Sequence, residues 1–176
     1  AVIDVVTDAL ERVRHFAASR DISLAVLDLP DGLRVVGDRR QLVSALGNLA
    51  ENAVKYSEPG GHVQLRARRN DDVAELMVAD QGIGIPAADH RRIFERFYRV
   101  DKARSRDTGG TGLGLSIVRH VATNHGGEVL VESQEGEGST FVLRIPVAGD
   151  HQRTHDRQPG APADTADDPA TRRSPR

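Results

Sequence analysis

A glycine-rich segment that runs directly into an apolar helical pattern restricts the fold of this chain more than any other feature. Residues 109–114 read GGTGLG, and the pattern LGLSIVRHVATNH starts within them at position 113. Where a helix begins in this way, unpaired backbone N–H groups and the helix dipole favour a bound anion. No lysine follows the glycines as it does in a P-loop. We therefore expect a phosphate site of another kind, with a mobile surface loop as the alternative interpretation.

A basic loop precedes that helix. Residues 99–112 contain Arg99, Lys102, Arg104 and Arg106 and show no hydrophobic periodicity. A long unpatterned loop inside a compact domain is usually functional, and these cations are suited to phosphate. The net charge of −2 and the aromatic content of 3% argue against a nucleic-acid surface.

The chain has the size of one domain. Its 176 residues, of which 38% are hydrophobic, are enough for one ordinary core, and without cysteine it has neither disulfides nor cysteine-ligated zinc. No apolar run approaches the roughly 20 residues that span a bilayer, and the N-terminus does not resemble a signal peptide, so we expect a cytoplasmic domain. Residues 148–176 hold four of the eight prolines and almost no large apolar side chain, which predicts a disordered tail after a folded domain at 1–147.

Helical and strand patterns alternate along the folded part. Apolar residues at helical spacing predict helices over 2–20, 38–57 and 113–125. Strand patterns, separated by turn residues, cover 21–30, 33–38, 62–69, 73–80, 128–134 and 139–147, and the first two are expected to be joined by a turn at 30–32. Helices interleaved with hairpins predict an α/β fold with a mixed sheet and helices on one face.

The helix predicted at 38–57 carries two stripes. Its apolar face is expected to be buried and consists of Leu42, Leu46, Leu49 and Ala53. Beside it run Asn48, Asn52 and Lys55, whose amide oxygens suit Mg²⁺ bound to a polyphosphate and whose ammonium group suits phosphate. The alternative interpretation of this second stripe is a solvated helix edge. Glu51 is expected to point away from it into solvent.

An acidic residue and two glycines follow the strand predicted at 73–80. Asp80 at the strand end can accept a hydrogen bond from an exocyclic amine such as that of adenine, and Gly82 and Gly84 let the backbone approach a flat ligand. A tight turn explains the glycines equally well. A dinucleotide-binding turn with Asp101 as the ribose acid is disfavoured, because Pro86 interrupts the glycines and no crossover helix and second parallel strand follow.

Five motifs in order resemble one protein family, and the match covers residues 1–147. They are NLAENAVKY (48–56), DQGIGIP (80–86), IFERFYRVD (93–101), GGTGLGLSIV (109–118) and GEGSTF (136–141). This order resembles the ATP-binding catalytic domain of sensor histidine kinases, within the superfamily of Hsp90-type chaperones, type II topoisomerases and MutL proteins. The segment that starts at Phe97 is especially similar to actinobacterial phosphate-responsive sensor kinases. The resemblance implies a Bergerat fold: a two-layer α/β sandwich with a mixed sheet of about five strands, three helices on one face and a mobile ATP lid.

The resemblance also implies roles for the adenine and metal ends of an ATP site. Asp80 would hold the adenine amino group beside Gly82, Gly84 and Ile85, and Thr140 would support Asp80 from the neighbouring strand. Gln81 stands where the family commonly has Asn, a position that we expect to be tolerant. In the motif at 48–56, Asn52 would ligate Mg²⁺, with Asn48 beside it.

Further residues would contact the ribose or the triphosphate. Lys55, Tyr56 and Arg99 would face the phosphates or ribose. The lid residues that we expect to surround the triphosphate are Lys102, Gly110, Thr111, Gly112, Leu113, Gly114 and Leu115.

The implied reaction is transfer of the ATP γ-phosphoryl group to a histidine of a separate dimerisation domain, so no catalytic residue is assigned in this chain. The resemblance implies a phosphoacceptor motif of His, an acid, three residues and Pro; the near match HDRQP, from His155 to Pro159, is one residue too short and is interpreted as coincidence. Expected partners are the phosphoacceptor domain and a response regulator, in a membrane-anchored homodimeric parent. Two alternatives are a non-catalytic nucleotide switch and a serine kinase or ATPase of the same superfamily. Asn48 argues against an ATPase, whose water-activating glutamate usually stands at this position.

Overall fold

A five-stranded mixed sheet and three α-helices form the part of the chain that the computed structural model describes, residues 1–100 and 110–148. In chain order the elements are α1 (Val2–Ser19), β1 (Ser23–Leu27), α2 (Arg39–Tyr56), β2 (His62–Asn70), β3 (Val73–Asp80), α3 (Gly114–Asn124), β4 (Glu128–Gln134) and β5 (Gly138–Pro146). Two short 3₁₀ turns, Ala87–Asp89 and Arg92–Phe94, lie between β3 and α3. The strand order is β1-β2-β3-β5-β4, in which β1 and β2 are parallel and the other pairs antiparallel. The predicted fold class is confirmed.

The second helix is the centre of the helical layer. Asp38 caps α2, because its side chain accepts from the backbone N–H groups of Arg40 at 2.8 Å and Gln41 at 3.2 Å. The helix contacts α1 on one side, α3 on the other and β3 beneath. Its predicted apolar face is confirmed, since all four of its residues, Leu42, Leu46, Leu49 and Ala53, are buried. The other face of α2 is thereby free to carry polar groups beside α3.

The inner face of the sheet supplies the rest of the core. Alternate residues of β2, β3 and β5 are buried beneath the helices, among them Val63, Leu65, Val78, Phe141 and Leu143. The neighbouring strands are in register, with Val78 opposite both Leu65 and Phe141. The two layers thus fix α2 and α3 over the ends of β3 and β5. In the described part of the chain, no helix is long and apolar enough to cross a membrane.

The prediction of a strand at 33–38 is wrong. The segment contributes one isolated bridge, between Val35 and Val147, and β1 pairs in parallel with β2 instead. The chain must turn at Gly37 and Asp38 to begin α2, so the apolar run is too short to extend its pairing along β5. A β-rich pattern of this length indicates extended backbone but does not specify a partner.

Candidate nucleotide site

A cavity of about 320 Å³ lies between the C-terminal half of α2 and the N-terminus of α3. We call it the α2–α3 cavity. Predicted site residues that line it are Asn48, Asn52, Lys55, Tyr56, Arg99, Gly110, Thr111, Gly112, Gly114 and Leu115. The structure therefore brings the stripe of α2 and the glycine-rich segment to one place, as their order in the sequence suggested.

Two amide side chains of α2 face the first residue of α3. The Nδ2 group of Asn48 donates to the carbonyl of Ser44 at 2.8 Å, which leaves its Oδ1 on the side of Gly114. A Cβ added to Gly114 would lie 3.2 Å from Asn48 Oδ1 and 3.8 Å from Asn52 Nδ2. Glycine at this position lets the positive end of α3 lie directly against the amides.

Two cations lie around Gly110. The guanidinium of Arg99 donates to the carbonyl of Gly110 at 2.7 Å, and a Cβ added to Gly110 would collide with Lys55 Nζ. The Lys55 ammonium group lies 5.4 Å from the centre of the Tyr56 ring. Partial burial, and then the nearby charge of Arg99, lower the pKa of Lys55. An anion in the cavity would relieve the repulsion between these two cations.

The glycine-rich segment is fixed to the aromatic segment before it. The N–H of Phe97 donates to the carbonyl of Gly112 at 2.9 Å, and both residues have positive φ, +64° and +68°. A Cβ on Gly112 would lie 2.9 Å from the backbone of Phe97, so the close approach requires glycine. Leu113, also a predicted site residue, lies outside the α2–α3 cavity and faces a hollow on the other side of α3. Lys102 lies outside the described residues.

Asp80 lies in a separate hollow at the ends of β3 and β5. Its Oδ1 accepts from the N–H of Gly82 at 2.9 Å and from the N–H of Ser139 at 3.2 Å, and among the described residues no group donates to Oδ2. Burial raises the pKa of Asp80, and the two N–H donors act against this shift. Oδ2 is the oxygen left to accept from a ligand.

The segment after Asp80 connects this hollow with the end of α2. The N–H of Ile83 donates to the carbonyl of Tyr56 at 3.2 Å, and a Cβ on Gly82 would collide with that same carbonyl. Gly84 and Ile85 continue the segment along the end of β4. Tyr56 therefore connects the two places: its carbonyl accepts from the segment after Asp80, and it lines the α2–α3 cavity, whose described lining does not include Asp80.

The expected support of Asp80 by Thr140 needs correction. The register pairs Thr140 with Ala79 and Ser139 with Asp80. Because directly opposed residues of an antiparallel pair point to the same face, the side chain of Thr140 lies on the other face from Asp80. The neighbouring-strand support is the N–H of Ser139, one position earlier.

Four residues of the cavity wall were not assigned to the site from the sequence: Glu51, Ile93, Tyr98 and Val100. Glu51 was expected to point away from the stripe; its side chain is exposed, but it lines the α2–α3 cavity and raises the pKa of Lys55 by its charge. Its spacing of four residues from Lys55 was a usable signal. Tyr98 is held by a hydrogen bond to Asp89 Oδ1 at 2.6 Å, with the guanidinium of Arg92 4.2 Å above its ring.

A glycine-rich helix start faces amides and cations, and a partly buried carboxylate lies at a strand end nearby. On this two-layer fold, these features define a nucleotide-binding domain of the ATPase class. Residues 37–149 match the family described as histidine kinase-, DNA gyrase B-, and HSP90-like ATPase, and the chain belongs to this family.

Curated relatives point to the histidine kinase branch, as the motifs implied. The chain is 48% identical over 157 residues to the sensor-like histidine kinase SenX3 of Mycolicibacterium smegmatis, covering 89% of this chain and 41% of the relative. It is 43% identical over 124 residues to the sensor histidine kinase WalK of Bacillus subtilis, covering 69% of this chain and 20% of the relative. The chain thus spans less than half the length of these relatives.

Solved structures agree with the fold. The mycobacterial sensor histidine kinase MprB superposes with a TM-score of 0.73 at 36% identity, covering 83% of this chain and 94% of that chain. Full-length ShkA in complex with AMPPNP superposes with a TM-score of 0.74 at 31% identity, covering 84% of this chain and 30% of that one. The predicted similarity to actinobacterial sensor kinases is confirmed.

Proposed function

We propose that this chain binds ATP across Asp80 and the α2–α3 cavity and donates the γ-phosphoryl group to a histidine in another part of a sensor kinase. The observation that carries the proposal is the convergence of Lys55, Arg99 and the N-terminus of α3 on one cavity beside two amides. Relatives named sensor histidine kinases and a structural neighbour bound to AMPPNP support it.

Asp80 is the proposed adenine residue. Its Oδ1 is held by two backbone N–H groups, which leaves Oδ2 to accept from the exocyclic amine of adenine. Guanine presents a carbonyl at the equivalent position, and two acceptors facing each other repel. Selectivity for ATP over GTP follows from this geometry.

The phosphates would occupy the α2–α3 cavity. Phosphoryl transfer asks for positioning and charge stabilisation more than for covalent chemistry from the protein. Lys55 and Arg99 supply positive charge, and the backbone N–H groups at the start of α3 supply donors. The proposed lid residues Lys102, Thr111 and Leu113 belong to the same segment of the chain.

Mg²⁺ fits the donor set of this wall. Asn48, Asn52 and Glu51 place hard oxygen donors along one side of α2, and such donors are preferred by Mg²⁺. Asn52 is the proposed ligand, with Asn48 beside it. When bound, the ion would neutralise charge that builds up on the phosphates.

The remaining partners are proposed for the parent protein. They are a dimerisation domain that carries the phosphoacceptor histidine, and a response regulator. We further propose that the parent is a membrane-anchored homodimer, of which this chain is a cytoplasmic portion, and that residues 1–147 are its catalytic domain. These proposals are supported by the relatives named sensor histidine kinases, of which this chain spans only a part.

The test is incubation with γ-labelled ATP and Mg²⁺. The chain alone is expected to stay unlabelled and to hydrolyse ATP very slowly. Adding the phosphoacceptor segment of the parent as a separate polypeptide is expected to give acid-labile label on that segment, weakly because the tether that raises effective concentration is missing. Fast hydrolysis by the chain alone would instead identify an ATPase, and label on His155 would contradict the assignment of a separate acceptor.

A further inference from the structure

Three polar side chains form a row on the inner face of the sheet, where β3, β5 and β4 lie side by side. The register places Ser139 of β5 opposite Asp80 of β3 and also opposite Ser133 of β4. Opposed residues of antiparallel strands point to the same face. We call these three residues the Asp80 row. Ser133 belongs to none of the motifs, yet it lies in the row of the proposed adenine residue.

The hydroxyl of Ser133 uses its full hydrogen-bonding capacity. It donates to the carbonyl of Gly138 at 2.8 Å and accepts from the N–H of Ile85 at 2.8 Å. Its oxygen also lies 2.9 Å from the hydroxyl oxygen of Ser139, which leaves one lone pair of Ser133 for that contact. Since a hydroxyl has one proton and two lone pairs, Ser139 must be the donor in this last bond. The side chain of Ser139 is thereby turned to a fixed direction next to Asp80.

The bond to Ile85 holds the segment that follows Asp80. Ile85 is also bonded through its carbonyl to His90 Nε2 at 3.0 Å. One residue earlier, Gly84 has φ +67°, and a Cβ there would collide with the carbonyl of Gln134. The segment therefore lies directly on the end of β4, and Ser133 provides the side-chain hydrogen bond at that contact.

We propose that Ser133 is a positioning residue for base recognition, an inference that rests on the proposed function. Its hydroxyl holds the Ile85 segment, which follows Asp80 in the chain, and the side chain of Ser139, which lies opposite Asp80 in the register. Without it, Ile85 N–H and the Gly138 carbonyl lose a partner, and the Ser139 hydroxyl is released. The α2–α3 cavity contains neither Ser133 nor any residue of β4, so its geometry is retained. Loss of the hydroxyl thus weakens binding of the base and leaves binding of the phosphates unchanged.

The experiment compares Ser133→Thr with Ser133→Val in the 176-residue chain. The two replacements have the same shape and both suit a strand, but only threonine keeps the hydroxyl. Calorimetry with ATP and with inorganic tripolyphosphate, each with Mg²⁺, is the measurement. We expect Ser133→Val to bind ATP about five- to tenfold more weakly, and Ser133→Thr to stay within about twofold of the wild type. Tripolyphosphate affinity is expected to be unchanged in both.

Hydrogen exchange gives a second readout at the bond itself. The amide of Ile85 is expected to exchange faster in Ser133→Val than in Ser133→Thr, because only the threonine variant retains its acceptor. The control variant is Ser19→Ala, whose hydroxyl donates to the carbonyl of Phe16 within α1, a helix that contributes no residue to the Asp80 row or to the wall of the α2–α3 cavity. Ser133→Ala tests the same loss with a smaller side chain, should valine disturb folding.

Three results would overturn the inference. Equal ATP affinity of the valine and threonine variants would show that the hydroxyl does not act on the base. Equal weakening of ATP and tripolyphosphate in Ser133→Val would show a general structural role. A wild-type chain that does not bind ATP would overturn the proposed function itself. If instead the wild type and the valine variant bind ATP equally well, only the role of Ser133 is overturned.

Discussion

The Asp80 row and the α2–α3 cavity are built in different ways. Asp80, Ser139 and Ser133 lie on three neighbouring strands, and fixed hydrogen bonds join each to the next or to the segment after Asp80. The cavity is lined instead by helix ends, glycines and long cationic side chains, with Arg99 bonded to a loop carbonyl. Rigid strands suit recognition of one flat base, whereas charges on long side chains suit phosphates, which are recognised mainly by charge. On this account, specificity resides in the sheet and most of the charge attraction in the helices.

The largest expected effect comes from Asp80→Asn. The amide can keep Oδ1 as acceptor for Gly82 and Ser139 but presents an NH₂ group where Oδ2 stood. Since a charge-assisted hydrogen bond is replaced by two donors facing each other, ATP should bind at least about 30-fold more weakly, a loss of about 2–3 kcal/mol. ITP, which has a carbonyl in place of the amine, should lose less or gain. Calorimetry with both nucleotides measures this, with the exposed Asp31→Asn as control.

If Asp80→Asn weakens ATP and ITP equally, the base is not read by this carboxylate. The Asp80 row would then not be the region that recognises the base.

A smaller effect is expected at the helical end from Lys55→Met, which keeps the aliphatic stem and removes the charge. Loss of one cation next to the phosphates should weaken ATP and tripolyphosphate together by about tenfold, while adenosine binding stays the same. Glu51→Gln is the matched control of opposite sign, because it removes a negative charge from the same wall. In the absence of Mg²⁺ it should strengthen tripolyphosphate binding. A loss of adenosine affinity in Lys55→Met would contradict the separation.

Asn52→Ala is expected to act on the metal more than on the fold. Asn52 lies beside the buried stripe of α2, so its removal opens no large cavity, and the melting temperature should change by only about 2 °C. The dependence of ATP affinity on Mg²⁺ concentration should become weaker, whereas ATP binding without Mg²⁺ should change little. Thermal unfolding and calorimetry at several Mg²⁺ concentrations give the answer. A large fall in melting temperature without nucleotide would mean that Asn52 is a packing residue.

The two regions should also respond to pH in opposite directions. The pKa of Asp80 is raised by burial, so on acidification it takes up a proton at a higher pH than an ordinary aspartate and stops favouring the adenine amine. The pKa of Lys55 is lowered by burial and by Arg99, so at alkaline pH it loses its charge earlier than an ordinary lysine. Adenosine binding should therefore weaken towards acid and tripolyphosphate binding towards alkali. Titrations of both ligands across the pH range test this, and parallel profiles would contradict it.

The helical end was easier to predict from the sequence than the sheet end. Helix geometry alone predicts that Asn48, Asn52 and Lys55 share one side of the helix beside the apolar stripe. The glycines at 110–114 indicate where the next helix begins. At the sheet end, Asp80 was recognisable, but its partner was assigned one residue too far along the chain. The register that makes Ser139 the neighbour depends on how tightly the turn before β5 closes, which a strand pattern does not specify.

Contacts between distant parts of the chain account for the other differences. Ser133 acquires its role only when β4 and the segment at Ile85 meet, and no local pattern signals this. The run at 33–38 has strand composition but reaches only a single bridge, because the cap of α2 follows at once. Glu51 was assigned to solvent from its place on the helix, yet the approach of α3 makes that edge a cavity wall.

The choice of this chain between adenine and guanine can be measured by calorimetric titration of the wild type with ATP, GTP and tripolyphosphate, each in the presence of Mg²⁺. We expect one ATP per chain, bound at least about tenfold more tightly than GTP and than tripolyphosphate, because only ATP satisfies both the Asp80 row and the α2–α3 cavity. Equal affinities for ATP and GTP would contradict it, since the carboxylate at the sheet end would then contribute nothing to the choice of ligand.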